Sequence, residues 1–325
     1  MDIRLLKTVL SFYGRYTLSF TQIGYRARSL LWRRFTPDLC GQHWLVTGGS
    51  GGLGRAMALA ALQGGASVTV AARSADKLRA FADEAAAAGL PRPDIEVCDF
   101  TSTADTARFI GRLVAGRRRV DALMNNVGVL NNALEVTLEG HEASFACNLL
   151  SHFQLTEALV GKGLLGAGSV VVNITSGGGF NFPLATAMLD ITDPDRFNGT
   201  AAYGFHKRAQ MSLNEHWRGE HGGRGILFYA MHPGWADTAG VQRSLPGFRK
   251  LFKPILRDGH SGADTAVWLA ATRPPQQDPA AVWFDRKART AHPFARTRAS
   301  ADTPGSLAAF LRAELAKGPP AEGSS

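Results

Sequence analysis

Residues 43–54 read HWLVTGGSGGLG, and this stretch decides the fold. Its first five residues predict a short buried strand, and the glycine-rich turn that follows opens a helix that we expect to end at about Gln63. Such a turn lets the backbone approach a pyrophosphate, while the helix N-terminus presents amide N–H groups and the positive end of its dipole. A glycine-rich turn can also be merely flexible. The strand–turn–helix context is what favours a dinucleotide-binding site.

The same alternation of strands and helices continues along the chain. Strands separated by helices of about ten or more residues predict a parallel, doubly wound sheet of the Rossmann type in a single α/β domain. We expect further strands at 67–72, 95–99, 121–125, 169–175, 226–231 and 281–285, and helices at 76–88, 103–115, 140–162, 203–220 and 263–271. The expected divisions are a basic amphipathic helical extension at 1–39, the domain at 40–290 and a C-terminal tail at 291–325.

The composition fits a folded protein in a reducing compartment. The chain has 325 residues, and a hydrophobic content of 45% is ample for a buried core. Cys40, Cys98 and Cys147 are odd in number and far apart, so they indicate neither a disulfide framework nor a cysteine metal site. The histidines show no ligand spacing either, and we expect no metal. These observations favour a cytoplasmic protein.

The formal net charge of +9 is concentrated near the N-terminus. Residues 1–34 contain one acid, Asp2, and seven bases, which are Arg4, Lys7, Arg15, Arg26, Arg28, Arg33 and Arg34. Because the excess is confined to one amphipathic segment without a recognition motif, it does not indicate nucleic-acid binding.

The beginning of this basic segment has helical periodicity. Two opposite sides of the helix are predicted, an apolar one with Leu6, Val9, Leu10 and Tyr13 and a basic one with Arg4, Lys7 and Arg15. No apolar run approaches the ~20 residues of a membrane span. Three interpretations stay open: the helix lies on an anionic membrane surface, it packs on the flank of the domain, or it is an organelle transit peptide.

A tyrosine and a lysine stand four residues apart in the predicted helix at 203–220. At that spacing the Lys207 ammonium can lie near the Tyr203 phenol, and a nearby cation lowers a phenol pKa from its ordinary value of about 10. Such a pair occurs by chance on many helices, so its surroundings decide. Ser176 ends a predicted strand, where function gathers in open parallel sheets. Asn148 is a polar amide among apolar neighbours, which by itself favours a hydrogen-bonded core residue.

Arg73 bears on the choice of cofactor. At the end of the second strand of a dinucleotide-binding unit, an acid holds the ribose 2′-hydroxyl of NAD(H), whereas an arginine accommodates the 2′-phosphate of NADP(H). This chain has Ala71-Ala72-Arg73-Ser74 at that place. The sequence therefore favours NADP(H), and NAD(H) stays open because an exposed arginine can also be only a solvated charge.

Together these residues resemble the short-chain dehydrogenase/reductase family, in its shorter single-domain branch, from about Gly41 to Asp285. The resemblance rests on the motifs Thr47-Gly48-x-x-x-Gly52-x-Gly54, Asp99, Asn125-Asn126-Val127-Gly128, Asn148, Ser176, Tyr203-x-x-x-Lys207 and His232-Pro233-Gly234. More narrowly, the run from Met231 to Thr238 resembles a subgroup called dehydrogenase/reductase member twelve, which implies no substrate.

The resemblance implies a role for each matched residue. Tyr203 is implied to be the general acid/base, its pKa lowered by Lys207 and by the oxidised nicotinamide, and Ser176 to hydrogen-bond the substrate oxygen. Lys207 would also hold the nicotinamide ribose, and Asn148 would position a water that links Lys207 to solvent. The implied cofactor contacts are Gly48, Ser50, Gly51 and Leu53 at the pyrophosphate with Gly54 in the same turn, Arg73 at the 2′-phosphate, Asp99 at the adenine, Asn125 at the adenosine, and Pro233 and Thr238 at the nicotinamide amide.

Two features depart from the family pattern. Val127 stands where alanine is usual, and its extra bulk lies beside the expected cofactor. The interval from Ser176 to Tyr203 is about double the common one. We therefore expect residues 177–202 to loop out over the active site and to affect substrate choice more than chemistry.

The sequence thus predicts an oxidoreductase that interconverts a carbonyl and an alcohol. Apolar and aromatic residues at 180–197 and 241–256 favour a lipophilic substrate, although they can also be core residues. The alternative function is a dinucleotide-binding sensor or scaffold without meaningful turnover. The resemblance also implies a homo-oligomer packed through the helices at 140–162 and 203–220, unless the N-terminal extension blocks that packing.

Overall fold

The computed structural model describes residue 14 and residues 16–317, and its centre is an eight-stranded sheet. The strands are β1 (His43–Thr47), β2 (Ser67–Ala72), β3 (Asp94–Val97), β4 (Ala122–Asn125), β5 (Val170–Ile174), β6 (Leu227–Met231), β7 (Val282–Phe284) and β8 (Lys287–Arg289). Their order across the sheet is β3-β2-β1-β4-β5-β6-β7-β8. Strands β1 to β7 pair in parallel, and β8 is antiparallel to β7. The predicted doubly wound parallel sheet is confirmed.

Helices cover both faces of this sheet. They are α1 (Gln22–Ser29), α2 (Gly52–Gln63), α3 (Ala75–Ala87), α4 (Thr103–Gly116), α5 (Ser151–Gly161), α6 (Gly199–His221), α7 (Ala239–Ser244), α8 (Pro246–Phe252), α9 (Gly259–Thr272) and α10 (Pro304–Ala316). Side chains of successive strand residues point to opposite faces. Leu45 accordingly lies in one hydrophobic cluster and its neighbours Trp44 and Val46 in another, so the sheet separates two cores.

The strand order reverses at β1. Strands β2 and β3 lie on one side of it, and β4 lies on the other. In open α/β sheets, ligands bind in the crevice beyond the carboxyl ends of the strands at such a switch point. The glycine-rich turn follows β1 directly and opens α2, so the fold places it at this crevice.

Helix α5 is preceded by an irregular turn. A short α-helical stretch, Ala143–Phe145, leads into a π-helical segment, Ala146–Leu150, that carries Asn148 and continues directly into α5. A π segment widens the helix by one residue per turn and is often found at functional sites. The single long helix expected at 140–162 is therefore interrupted at Asn148.

The described part of the N-terminal extension packs on the domain. Residues 16–20 are helical and α1 follows them, with Phe20 and Tyr25 buried. The Phe20 ring contacts the rings of His232 and Phe284. The described part of the extension therefore packs on the flank of the domain, whereas the three interpretations of the helix that precedes it stay open. The predicted two-sided helix lies outside the described residues in all the positions on which it rests, which are Arg4, Leu6, Lys7, Val9, Leu10, Tyr13 and Arg15.

A buried ion pair fastens this extension. Arg257 donates hydrogen bonds to both carboxylate oxygens of Asp285, at 2.6 and 3.0 Å. It also donates to the main-chain carbonyl oxygens of Ser19 at 3.1 Å and Phe20 at 2.9 Å. Arg28 of α1 contacts the same carboxylate. Because a buried charge must be paired, these contacts tie the extension to the turn between β7 and β8.

The C-terminal segment differs from the expected tail. Helix α10 begins after a Thr303 cap, and its Leu307, Ala308 and Leu311 are buried in a hydrophobic core. Phe310 and Leu315 also pack against this core, so the apolar residues of α10 recur at helical spacing and the expectation of a tail was wrong here. Their burial against α6 decides the conformation. Residues 318–325 lie outside the described part of the chain.

The loop at 177–202 also differs from its expected course. It contains two short 3-10 helices, Gly177–Asn181 and Thr186–Met188. Instead of looping out freely, it is attached to the C-terminal segment, because the main-chain N–H and the hydroxyl of Thr186 both donate to the Asp302 carboxylate. Phe180 and Leu184 are buried. These two residues therefore belong to the core and not to an open lid.

Replacement of Arg257 with alanine is expected to lower the free energy of unfolding by about 3–5 kcal/mol, because Asp285 would stay buried with its main partner removed. Arg108 is the matched control, since it is exposed and pairs with Asp105 at the surface. Its alanine variant should change stability by less than about 1 kcal/mol. Urea denaturation followed by circular dichroism measures both. Equally small losses in the two variants would contradict the role assigned to the buried pair.

Candidate active site

Ser176, Tyr203 and Lys207 converge beyond the carboxyl end of β5. Ser176 is two residues beyond that strand, and the other two lie in the first turns of α6. Gly178 lies between the two hydroxyl-bearing residues, since a Cβ atom on it would be 3.8 Å from Ser176 Oγ and 3.9 Å from Tyr203 Cδ1. The Tyr203 hydroxyl hydrogen-bonds Ser176. The structure thus brings together three residues that are distant in the sequence.

The environment of Tyr203 has two opposing effects on its phenol. Burial raises the pKa of Tyr203, and the hydrogen bond with Ser176 lowers it, with burial the larger effect. The Lys207 ammonium lies 5.4 Å from the centroid of the Tyr203 ring. In the protein without a cofactor, the net pKa shift is therefore upward, unlike the lowered pKa that the resemblance implies.

Lys207 is a buried cation without a carboxylate partner among the described residues. Its Nζ donates to the main-chain oxygen of Ile174 at 3.0 Å and to Gln210 Oε1 at 3.0 Å. Burial lowers the pKa of Lys207 to about 8. The ammonium is thus held by neutral hydrogen-bond acceptors at the end of β5.

Asn148 clamps the loop that follows β4. Its Oδ1 accepts from the Val129 main-chain N–H at 2.8 Å, and its Nδ2 donates to the Val129 carbonyl at 2.8 Å. The main-chain carbonyl of Asn148 accepts from Gln210 Nε2 at 2.7 Å. The Gln210 side chain bridges the Asn148 carbonyl and Lys207 Nζ. The water by which the resemblance links Lys207 to solvent stays a prediction.

The glycine-rich turn is shaped for a closely approaching ligand. A Cβ atom on Gly54 would overlap the carbonyl oxygen of Gly48, so only glycine fits where α2 begins. Gly51, by contrast, faces open space, with no atom within 4 Å of an added Cβ. Asn126 holds the turn from the other side, because its Nδ2 donates to the Thr47 carbonyl at 2.8 Å. The backbone is therefore exposed at the helix N-terminus and rigid behind it, which fits a nicotinamide dinucleotide.

The other predicted cofactor residues fall into two groups. Arg73 is exposed just after β2 and has no acidic partner among the residues that the structure describes. Asp99 follows β3, and Thr238 is near the turn, since a Cβ added at Gly52 would lie 3.6 Å from its side chain. Asn125, in contrast, has its side chain fully buried, with Nδ2 donating into the protein interior. Ser50 and Leu53 lie in the turn itself and are partly exposed. Pro233 is buried, and a Cβ added at Gly262 would lie near both Pro233 and Leu53.

Two site residues were not singled out as functional from the sequence. Gln210 lies three residues after Lys207, a spacing that places both on one helix face. Asn126 was part of a matched motif, but its contact with the glycine turn follows only from the pairing of β1 with β4. The helical spacing could have indicated Gln210. No local signal in the sequence could have indicated the contact made by Asn126.

One cluster of the described residues has potential metal ligands. His141, Asp190 and Glu314 bring three ligand atoms within 4.8 Å of one another. These groups already pair internally, because His141 Nδ1 lies 2.7 Å from Asp190 Oδ2 and Lys317 Nζ donates to Glu314 at 2.7 Å. We interpret the cluster as an ion-pair network that fastens α10. All three cysteines of the chain are free thiols.

The arrangement defines a class of protein. A nucleotide-binding turn at the switch point of a parallel sheet, next to a serine, a tyrosine and a lysine in contact, is that of an NAD(P)-dependent oxidoreductase. The chain belongs to the short-chain dehydrogenase family, whose model matches residues 42–247.

The relatives agree with this assignment. Dehydrogenase/reductase SDR family member 12 of Bos taurus is 31% identical over 308 residues, which are 91% of this chain and 94% of the relative. The resemblance of the sequence to the subgroup called dehydrogenase/reductase member twelve is therefore confirmed. A Streptomyces protein provisionally named daunorubicin C-13 ketoreductase is 30% identical over 78% of this chain and 88% of its own. A Beutenbergia cavernae structure, provisionally named an NAD(P)-dependent gluconate 5-dehydrogenase with bound NADP, superposes with a TM-score of 0.58 at 26% identity, over 72% of this chain and 91% of its own.

Proposed function

We propose that the protein interconverts a carbonyl and an alcohol by hydride transfer with NADP(H). The observation that carries this proposal is the cluster of Ser176, Tyr203 and Lys207. The bound dinucleotide would supply or accept the hydride. The Ser176 hydroxyl hydrogen-bonds the substrate oxygen, and the Tyr203 phenol exchanges a proton with that oxygen. The Lys207 ammonium stabilises the phenolate that forms when Tyr203 gives up its proton.

The alternative function is a dinucleotide-binding sensor or scaffold that turns over weakly. Binding a dinucleotide needs the glycine turn but does not need a hydrogen-bonded Ser176 and Tyr203 beside a buried ammonium. Burying the Lys207 cation is costly, which supports a chemical role for it. The complete cluster therefore favours the enzyme.

Of the two segments whose apolar residues favour a lipophilic substrate, 180–197 and 241–256, the second supports it better. Trp235 contacts Phe248 and Phe252 of α8, with ring centroids 5.1 Å apart in each case. Trp235 is three residues before Thr238, whose side chain would lie 3.6 Å from a Cβ added at Gly52 of the glycine turn. Residues 180–197 support the proposal less, because Phe180 and Leu184 lie in the core. The relative named for daunorubicin C-13 ketoreduction supports a ketone as the substrate.

Peripheral association with a membrane is supported by the outer face of the N-terminal extension. Ile23 is exposed on α1, and Leu30 and Leu31, which directly follow this helix, are each 86% exposed. A cavity of about 640 Å³ lies beside Leu31. The basic residues in its lining that have no acidic partner among the described residues are Arg33, Arg34, Lys287 and Arg289. Exposed leucines beside unpaired cations suit an anionic membrane surface. None of the helices in the described part of the chain has the length and apolarity needed to cross a bilayer.

The homo-oligomer and the cytoplasmic location stay predictions. Helix α10 packs against α6, and Arg312 pairs with Glu157 of α5, so α10 lies against the two helices that the resemblance implies for oligomer packing. We therefore propose that any oligomer uses another surface. The free state of the three cysteines supports a reducing compartment.

Replacement of Tyr203 with phenylalanine is expected to lower turnover by roughly 10²–10⁴-fold, because the proton at the substrate oxygen would lose its donor and acceptor. NADPH oxidation with retinal, steroid ketones and medium-chain aldehydes measures it. Tyr229→Phe is the matched control, since that hydroxyl donates to the Pro274 carbonyl on the other side of the fold. Unchanged turnover in a folded Tyr203→Phe variant would contradict the mechanism. Tight NADPH binding by the unmodified protein with no turnover across the panel would favour the sensor.

Replacement of Arg73 with alanine is expected to weaken NADPH binding about 10- to 100-fold and to leave NADH binding nearly unchanged. A charge-assisted hydrogen bond to the 2′-phosphate would be lost, and NADH has no such group. Fluorescence titration with each dinucleotide measures the two dissociation constants. Arg79→Ala, at an exposed position on α3, is the matched control. Equal weakening for both dinucleotides would contradict the proposed preference.

If the protein associates with anionic membranes, it should sediment with vesicles that mix phosphatidylserine and phosphatidylcholine. A smaller fraction should sediment with vesicles of phosphatidylcholine alone. Replacement of Leu30 and Leu31 with serine should lower the bound fraction at least about fivefold, because the inserted apolar area is removed. Leu138→Ser is the matched control, since Leu138 is 94% exposed on another part of the fold. Equal sedimentation of the two variants would contradict the assigned surface.

A further inference from the structure

Gln210 connects the buried ammonium to the backbone of the π segment. Its side chain is 2% exposed. Oε1 accepts from Lys207 Nζ at 3.0 Å, and Nε2 donates to the main-chain carbonyl of Asn148 at 2.7 Å. One carboxamide therefore spans the gap between the ammonium and the helix that carries Asn148.

The surrounding groups permit only one orientation of this carboxamide. Nε2 lies 3.3 Å from His152 Nδ1, and His152 Nε2 lies 2.9 Å from the Val127 carbonyl. Burial lowers the pKa of His152 to about 3, so the ring is neutral and has a single N–H. That N–H must donate to the Val127 carbonyl, which leaves Nδ1 as an acceptor. A flipped amide would set its NH₂ group against the Lys207 ammonium and its oxygen against two acceptors.

The same contacts fix the direction of the ammonium. Two of its three N–H groups point to Ile174 O and Gln210 Oε1. The side that is left adjoins Gly128, where an added Cβ would lie 3.5 Å from Nζ. Any side chain at Gly128 would reach this space. The ammonium therefore lies beside the loop after β4, and its two hydrogen bonds leave the third N–H for a further acceptor.

The charged state of Lys207 depends on neutral acceptors. The titratable groups that face it are Tyr203 and His206 on its own helix, and Cys147 and His152 on the helix packed against it. Burial raises the pKa of Cys147 to about 12 and lowers the pKa of His206 to about 4. These groups are therefore uncharged at neutral pH. Hydrogen bonds to the charged form are the means by which a protein keeps such an ammonium protonated.

We propose that Gln210 is a positioning residue of the active site, which keeps the Lys207 ammonium charged and aims its free N–H at the cofactor side. The proposal rests on the proposed function, because that function assigns Lys207 its role. Gln210 can act in this way because it lies between the Lys207 ammonium and the Asn148 carbonyl. A carboxamide neither gains nor loses protons at neutral pH, so it holds the ammonium without relaying its proton.

Two substitutions of Gln210 test this role through the titration of Lys207 itself. Methionine has a similar shape but no strong acceptor, so Gln210→Met should raise the acid dissociation constant of Lys207 about tenfold, which is a fall of one pKa unit. Gln210→Glu retains an oxygen at the ammonium and adds a negative charge, so it should shift the pKa upward. The signal of [ε-¹³C]lysine, assigned by its loss in a Lys207→Arg variant, reports the pKa without any turnover. Gln154→Met on α5 is the matched control and should leave it unchanged.

The pH dependence of carbonyl reduction gives the second readout. Turnover requires the ammonium, so it is lost as pH rises through the Lys207 pKa. The alkaline limb should therefore move to lower pH in Gln210→Met and to higher pH in Gln210→Glu, in step with the NMR titration. A residue that only packs would change the urea midpoint and leave this limb in place.

The outcomes separate this proposal from the proposed function. Opposite shifts of the Lys207 pKa in the two variants would support the role of Gln210 even if the unmodified protein reduced no carbonyl, a result that would defeat only the proposed function. An unchanged Lys207 pKa in both variants would overturn the role of Gln210. A changed urea midpoint with an unmoved pKa would also overturn it. If Gln210→Met fails to fold, an unchanged Lys207 pKa in Gln210→Glu would still overturn the role of Gln210.

Discussion

The site depends on an ammonium held in the protein interior by neutral groups. Moving a charge out of water is costly, and Lys207 has no carboxylate among the described residues to offset that cost. The main-chain oxygen of Ile174 and the carboxamide of Gln210 stabilise it instead. This requirement explains why β5, α6 and the π segment must meet at one point. Each of them supplies a group that binds the ammonium or orients one that does.

The same requirement gives the π segment a purpose. The segment carries Asn148, whose side chain pairs with both main-chain groups of Val129 and whose carbonyl receives Gln210. Asn148 thus connects the loop beside the glycine turn to the residue that holds Lys207. The crevice at the glycine turn and the Lys207 ammonium are therefore parts of one hydrogen-bonded unit.

The N-terminal extension and the C-terminal helix α10 pack against the elements around the central sheet. The N-terminal extension is fastened by Arg257 and Asp285, and its Phe20 ring packs on His232 behind the loop that follows Ser176. The C-terminal helix α10 covers α6. Both ends of the described chain thus pack around the helix and strand that carry the candidate active site. They also restrict the surfaces left for a substrate, a membrane or a second copy of the chain.

The amino-acid sequence by itself determined the alternation of strands and helices, the glycine turn and the pairing of Tyr203 with Lys207, because all of these depend on spacings within a few residues. It also placed Ser176 correctly at a strand end. Tertiary structure decided the rest. Asn125 turned out to be buried, α10 packed against α6 where a tail was expected, and Gln210 acquired a partner in Asn148 that is distant along the chain. Such contacts depend on which elements pack together, and local periodicity carries no information about that.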